Sequence, residues 1–139
     1  MSGGKCFLDT NILVYAADQH FPEKRKIAIS LIDSLYQSER LVVSTQVIRE
    51  FCNAAIKKLG VNEQSLRLFT NMYYDLPPFQ ESKKTLMHAL KIYRQYQYSL
   101  YDSLILASAI ETGCVVLYSE DLQNGQIIEG TKITDPFNH

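Results

Sequence analysis

The sequence has no long apolar run and few cysteines. Its longest apolar stretches are far shorter than the roughly 20 residues that cross a bilayer. The three cysteines are odd in number, lie in or beside apolar segments and lack metal-type spacing: Cys6, Cys52 and Cys114. This pattern is typical of reduced thiols in the core of an intracellular protein. We therefore expect a cytoplasmic protein with no membrane association.

Internal repeats, low-complexity tracts and flexible linkers are also absent from the sequence. With 139 residues, of which 46% are hydrophobic, the chain is long enough to bury one substantial core. We predict a single domain over residues 1–139.

The sequence has little net charge. A formal charge of -1 argues by itself against a nucleic-acid partner. If four of the acids bind metal, however, the remaining surface carries more basic than acidic residues. Clusters at 24–26, 57–58 and 83–84 could then face phosphates. Ordinary solvated helix faces remain the alternative explanation for each cluster.

Short apolar runs alternate with longer segments of helical period, which predicts helices packed around a parallel sheet. The predicted strands are 5–9, 41–43 and 115–118, with a final edge strand at 132–133 and a loop or short helix over 121–130. The predicted helices are 10–18, one beginning at Pro22, 45–59, 61–75, 82–96 and 101–112.

Four acids occupy junctions between these elements. Asp9 follows the first strand, Glu50 lies in the helix from Thr45, Asp102 opens a helix, and Asp121 follows a strand. Taken singly, the aspartates fit helix caps or a turn, and Glu50 fits a solvated helix face. Taken together, they lie where open parallel sheets bind ligands. Carboxylates there would form a pocket for hard divalent cations.

Electrostatic repulsion strengthens this prediction. Two carboxylates about 5 Å apart repel each other by roughly 3 kcal/mol at an effective dielectric constant of about 20. A divalent cation would remove this repulsion, so the cluster predicts metal dependence and a gain in stability when Mg²⁺ or Mn²⁺ is added.

Four successive segments carry a family resemblance. Residues 7–15, 44–51, 101–109 and 119–125 are similar, in order and in spacing, to the motifs of PIN-domain nucleases, and most of all to the VapC-type toxins of bacterial toxin–antitoxin systems. The resemblance implies an α/β fold of three α/β/α layers with a central, mostly parallel sheet of four to five strands. It also implies RNA cleavage that depends on Mg²⁺ or Mn²⁺, and a homodimer inhibited by a cognate antitoxin protein.

The resemblance also implies a set of site residues. The acids that match the catalytic and metal-binding quartet are Asp9, Glu50, Asp102 and Asp121. Asn11 and Ser119 match supporting polar positions. Glu120 competes with Asp121 for the fourth acidic place, and the register of strand and loop favours Asp121.

A second hypothesis concerns the approach to Asp102, where planar side chains could contact RNA. Its candidates are Arg49, Arg94, Tyr96 and Tyr98. Aromatic and guanidinium planes stack on unpaired bases. Alternatively, the tyrosines fill the core or a dimer interface.

Other functions use similar parts. A haloacid-dehalogenase-type phosphatase requires a second acid where this chain has Asn11, and the paired acids and late lysine of a receiver domain are not found. The stronger alternative is a non-catalytic PIN-like module that binds RNA or protein.

Overall fold

The computed structural model describes residues 3–138 of the chain. Five strands form one sheet: β1 (Cys6–Leu8), β2 (Leu41–Val42), β3 (Val116–Tyr118), β4 (Ile127–Ile128) and β5 (Thr131–Thr134). The helices of this range are α1 (Thr10–Ala16), α2 (Pro22–Gln37), α3 (Thr45–Leu59), α4 (Glu63–Asp75), α5 (Lys83–Tyr96) and α6 (Leu100–Glu111).

The strands lie in the order β2-β1-β3-β5-β4, and all neighbours are parallel except β4 and β5. The predicted α/β class with a mostly parallel sheet of four to five strands is confirmed. Helix α1 packs against α2 and α3, whereas α5 packs against α6, so the helices form two groups, as a three-layer fold requires. Strand β2, the next strand along the chain, pairs with one edge of β1, and β3 pairs with the opposite edge. The strand order therefore reverses at β1. This is where open α/β sheets bind ligands.

The register of the sheet brings two strand ends together. Leu8 of β1 pairs with Tyr118 of β3, and the Asp9 backbone N–H donates to the Tyr118 carbonyl oxygen at 3.0 Å. The residues that follow these strands, Asp9 and Ser119, therefore emerge side by side. The whole of β1 is buried, as expected of a strand covered on both faces.

The predicted edge strand is wrong in one respect. Residues 131–134 form a longer strand that lies inside the sheet, because β4 pairs with its outer side. The segment 121–130, predicted as a loop or short helix, contains β4. Its hairpin turns through Glu129 and Gly130, both with positive φ, at 47° and 90°. Glutamate is uncommon in that conformation, so the turn has no clear sequence signal.

Local capping explains where the helices that carry acids begin and end. The Ser44 hydroxyl accepts from the Val47 backbone N–H at the start of α3, and Gly60 ends that helix in the left-handed conformation with φ of 62°. At the start of α6, the Ser99 hydroxyl accepts from the Asp102 backbone N–H at 3.1 Å. Asp102 therefore lies in the first turn of α6, close to its predicted place.

Cys6, Cys52 and Cys114 are free thiols, as predicted. Among residues 3–138, no helix is long and apolar enough to cross a membrane.

Candidate active site

Asp9 is the centre of the site. It is the N-cap of α1, and its Oδ1 accepts from the Thr10 backbone N–H at 2.7 Å. The simple capping role considered for this aspartate is therefore real. It does not explain why the carboxylate is only 6% exposed at the carboxyl end of a central strand. A buried acid in that position needs further partners.

Ser119 and Asn11 supply those partners and connect Asp9 to Asp121. The fully buried Ser119 hydroxyl donates to Asp9 Oδ2 at 2.8 Å and accepts from the Asp121 backbone N–H at 3.1 Å. The Asn11 amide nitrogen lies 3.1 Å from Asp121 Oδ2 and 3.5 Å from Asp9 Oδ2. Two carboxylates that are 112 positions apart in sequence thus share one amide donor.

Asp102 and Glu50 complete the acidic cluster. Asp102 is close enough for its charge to raise the pKa of Asp9, and the charges of Asp121 and Glu50 raise the pKa of Asp102. Glu50 is exposed, and its Oε1 accepts from the Thr10 hydroxyl at 2.7 Å. The structure therefore brings all four predicted acids to one edge of the sheet.

Burial dominates the electrostatics of the acids, and the neighbouring negative charges add to its effect. Burial raises the pKa of Asp9 to about 6, against the lowering effect of its bonds from Ser119 and Thr10, and the charges of Asp102 and Asp121 add to the rise. Partial burial, followed by the neighbouring acidic charges, also raises the pKa of Asp102. Such perturbed carboxylates are characteristic of functional sites.

The donor set fits a hard divalent cation. Four carboxylates supply oxygen donors, which Mg²⁺ and Mn²⁺ prefer. The Asn11 amide oxygen accepts from the Glu120 backbone N–H at 3.2 Å, and the Ser119 hydroxyl is bonded to Asp9 and Asp121, so these two side chains support the carboxylates. Within the described part of the chain, no three acidic, histidine or cysteine side chains are yet arranged to hold one ion. The Asp9 oxygens face Thr10 and Ser119 instead. Binding an ion would require side-chain rotations that draw the carboxylates inward.

Glu120 points away from this cluster. Its carboxylate accepts from the Tyr15 hydroxyl at 2.7 Å and is bonded by the Lys24 ammonium. Burial raises the pKa of Glu120, but the bonds from Lys24 and Tyr15 outweigh burial and leave the pKa below its ordinary value. Asp121, and not Glu120, is therefore the acid that Asn11 and Ser119 connect to Asp9.

The candidate RNA-contacting residues fall into two classes. Arg49 and Arg94 are exposed. Tyr96 and Tyr98 are half-buried against the core, and the Tyr98 hydroxyl donates to Gln126 at 2.5 Å. The tyrosine rings thus pack much as the alternative interpretation proposed.

Sequence reasoning missed two features of the site. Thr10 orients Glu50, and its place between Asp9 and Asn11 could have suggested a polar role. The bonds of Lys24 with Glu120 and Tyr15 had no sequence signal. The Lys24 ammonium also lies 4.8 Å from the centre of the Tyr15 ring, within cation–π range.

Comparisons with known proteins identify the family and the fold. A family model described as PIN domain matches residues 6–124. The structure resembles a toxin–antitoxin complex from Klebsiella pneumoniae with a TM-score of 0.68 at 18% identity, covering 97% of this chain and 100% of that one. No curated protein matches the sequence at a significant level.

Two further solved structures are similar. VapBC2 from Rickettsia felis, bound to a DNA fragment from its promoter, aligns with a TM-score of 0.67 at 21% identity, over 92% of this chain and 96% of that one. VapC20 from Mycobacterium tuberculosis, a toxin that cleaves the sarcin–ricin loop, aligns with a TM-score of 0.60 at 14% identity, over 84% and 90%. At these identities the likeness shows a common fold.

Proposed function

Because this chain belongs to the PIN domain family, we propose that it is a metal-dependent endoribonuclease, the toxin of a type II toxin–antitoxin pair. The observation that carries the proposal is the buried Asp9 carboxylate, which Ser119 and Asn11 connect to Asp121 and whose pKa is raised by burial and, to a lesser extent, by the charges of Asp102 and Asp121. A cluster of acids at the switch point of a parallel sheet suits the chemistry of phosphodiester hydrolysis.

The cation we propose is Mg²⁺ or Mn²⁺. Asp9, Asp102 and Asp121 would hold it, since they are the most closely coupled of the acids. When bound, the ion supplies an activated water nucleophile and neutralises charge on the phosphate and the leaving oxygen.

The remaining side chains position these groups. Asn11 and Ser119 fix the orientations of the Asp9 and Asp121 carboxylates through the bonds described above. Glu50 is more exposed, and Thr10 holds it on the rim of the cluster. From there Glu50 would orient the attacking water or help to recruit a second ion. Arg49, next to it and exposed, would contact an RNA phosphate, and Arg94 would do so on the side of α5.

We also propose two protein partners. The similar Klebsiella and Rickettsia structures are, respectively, a toxin–antitoxin complex and VapBC2, which supports a cognate antitoxin for this chain. Helix α5 carries an exposed apolar stripe that fits a homodimer interface: Leu86, Met87, Leu90 and Tyr93. A protein with these partners would act in the cytoplasm, where RNA and antitoxin are available.

RNA cleavage tests the proposal directly. Purified protein is incubated with total cellular RNA, with Mn²⁺ or with a chelator, and the new RNA ends are mapped. We expect a defined set of ends that requires the metal and is lost in Asp9→Asn. The matched control is Asp33→Asn, which makes the same charge change at an exposed position of α2.

The same experiment separates the non-catalytic alternative. A protein that binds RNA but generates no new ends with either metal would be a binding module. Cleavage that survives in Asp9→Asn would show that the assigned acids are not the catalytic ones.

A further inference from the structure

A cleft of about 440 Å³ adjoins the acidic cluster. Its lining includes the site residues Thr10, Asn11 and Asp121. The lining also includes Phe21, at the start of α2, and Lys58, in the last turn of α3. A phosphate held at the acids would therefore have this cleft directly beside it.

The walls of the cleft suit a flat apolar ring. Phe21 is 49% exposed, although it is a large aromatic residue. Its ring makes a T-shaped contact with Tyr15, with centres 5.7 Å apart and planes at 89°. The Lys24 ammonium lies 6.0 Å from the centre of the Phe21 ring, and about half of the surface of the residue stays open. Val14 and Ala54 add apolar surface to the lining.

Two of the three acids in the lining have polar partners. Glu120 is bonded by Lys24, and the buried Asp18 accepts from the His20 backbone N–H at 2.9 Å. Lys58 is exposed, and Asp121 belongs to the acidic cluster. The lining thus combines aromatic and apolar surface for a base with an exposed cation for a neighbouring phosphate.

We propose that this cleft is a nucleobase subsite, in which Phe21 stacks on an unpaired base next to the scissile phosphate and Lys58 contacts the neighbouring phosphate. The inference rests on the proposed function, which it deepens by assigning the residues that would hold the base and phosphate next to the cleavage site. Stacking on an aromatic ring requires an unpaired base, because a paired base has both faces covered by its neighbours. The subsite uses Phe21, whereas the sequence-based hypothesis considered Tyr96 and Tyr98, which are half-buried.

RNA binding by Phe21 variants tests the stacking role. Affinity is measured by fluorescence anisotropy in an Asp9→Asn background, which prevents cleavage, with two probes: single-stranded oligoadenylate and an abasic oligomer of the same length. We expect Phe21→Ala to weaken oligoadenylate binding by about thirtyfold, the middle of the range for a stacked base. Binding of the abasic oligomer should not change.

Matched variants separate stacking from packing. Phe21→Leu keeps apolar bulk but removes the aromatic face, so it should behave like Phe21→Ala, whereas Phe21→Tyr should retain wild-type affinity. Tyr74→Ala removes an aromatic residue of similar exposure, 48%, on α4 and should leave both affinities unchanged. If Phe21→Ala fails to fold, the Leu and Tyr variants give the answer alone.

The lysine is tested by salt dependence. Lys58→Gln should reduce the slope of log affinity against log salt concentration by about 0.7, the value for one phosphate contact on a single strand. Lys57→Gln is the matched control, because Lys57 is its exposed neighbour on α3 but does not line the cleft. Its slope should stay closer to the wild-type value.

The outcomes distinguish this inference from the proposed function. Equal losses of affinity for both probes, or no loss for either, in Phe21→Ala would overturn the subsite even if the wild-type chain cleaves RNA. A loss of affinity for a protein partner alone would assign the cleft to that partner and also overturn it. Binding with the predicted Phe21 dependence but without metal-dependent cleavage would support the subsite and overturn only the nuclease proposal.

Discussion

Replacing Asp9 by asparagine should stabilise the fold at neutral pH when no divalent metal is present. The Asp9 carboxyl has a pKa of about 6 in the folded chain, mainly because it is buried, against an ordinary value of 3.8. Keeping it ionised therefore opposes folding. Asparagine has nearly the same shape, can accept the Thr10 N–H bond through its oxygen, and carries no charge.

The magnitude follows from the pKa shift. A shift of about 2 units at 1.36 kcal/mol per unit gives about 3 kcal/mol at pH values above 6. In the variant the Thr10 bond becomes neutral, and the amide nitrogen that replaces Oδ2 cannot accept from the Ser119 hydroxyl, which reduces the gain to about 2 kcal/mol. For a chain of this length, such a gain raises Tm by roughly 5–10 °C.

The sign of the pH dependence is also determined. Between pH 4 and pH 6 the folded wild-type chain binds more protons at Asp9 than the unfolded chain does, so its stability decreases as pH rises through this window. Below pH 4 the carboxyl is protonated in both states and the advantage of the variant should disappear. The advantage should therefore grow with pH from about 4 and level off above about 6.

The assay is urea denaturation of wild type and Asp9→Asn over this pH range in a chelator, repeated with Mn²⁺. Metal should stabilise the wild type far more than the variant, because binding to the folded state shifts the unfolding equilibrium. Asp33→Asn, at an exposed position, controls for loss of a negative charge. An Asp9→Asn variant that is less stable than the wild type in chelator at pH 7, or a stability difference independent of pH, would refute the reasoning.

Three other substitutions give distinct expectations. Ser119→Ala removes a fully buried hydroxyl with three polar contacts, so the free energy of unfolding, measured by urea denaturation, should fall by about 1–3 kcal/mol. Unchanged stability would contradict the role of Ser119 as a bridge between Asp9 and Asp121. Lys24→Met leaves the Glu120 carboxylate without its cation and makes the field at the neighbouring acids more negative, so it should lower the Mn²⁺ concentration for half-maximal cleavage more than the exposed Lys26→Met does. Equal values for the two variants would show that the Lys24–Glu120 pair has no influence on the site. Glu50→Gln should lower the cleavage rate at least about a hundredfold. It should change the free energy of unfolding by less than about 0.5 kcal/mol, because the Glu50 side chain is exposed. Retained cleavage activity would exclude a catalytic role for Glu50.

Local signals made much of the fold predictable. The bounds of α3 agree with the prediction because Ser44 caps its start and Gly60 takes the left-handed conformation after its end. The meeting of Asp9 and Asp121 followed from one rule of parallel sheets, that strand ends of the same direction lie at one edge.

Other features depend on contacts that no local pattern reports. Strand β4 has only two residues, too few to show a period, and its pairing with β5 changed the predicted edge strand into an interior one. The Lys24–Glu120 pair joins residues 96 positions apart, on the outer side of the site. The cleft lined by Phe21 depends in the same way on how α1, α2 and α3 pack together.

The most direct test of the central claim is the location of Mn²⁺ by anomalous X-ray diffraction from crystals grown with the ion. We predict an anomalous peak about 2.1 Å from carboxylate oxygens of Asp9 and Asp121, with Asp102 adjacent, and no peak there in crystals of Asp9→Asn. A peak bound elsewhere, or none between these aspartates at saturating Mn²⁺, would contradict the account.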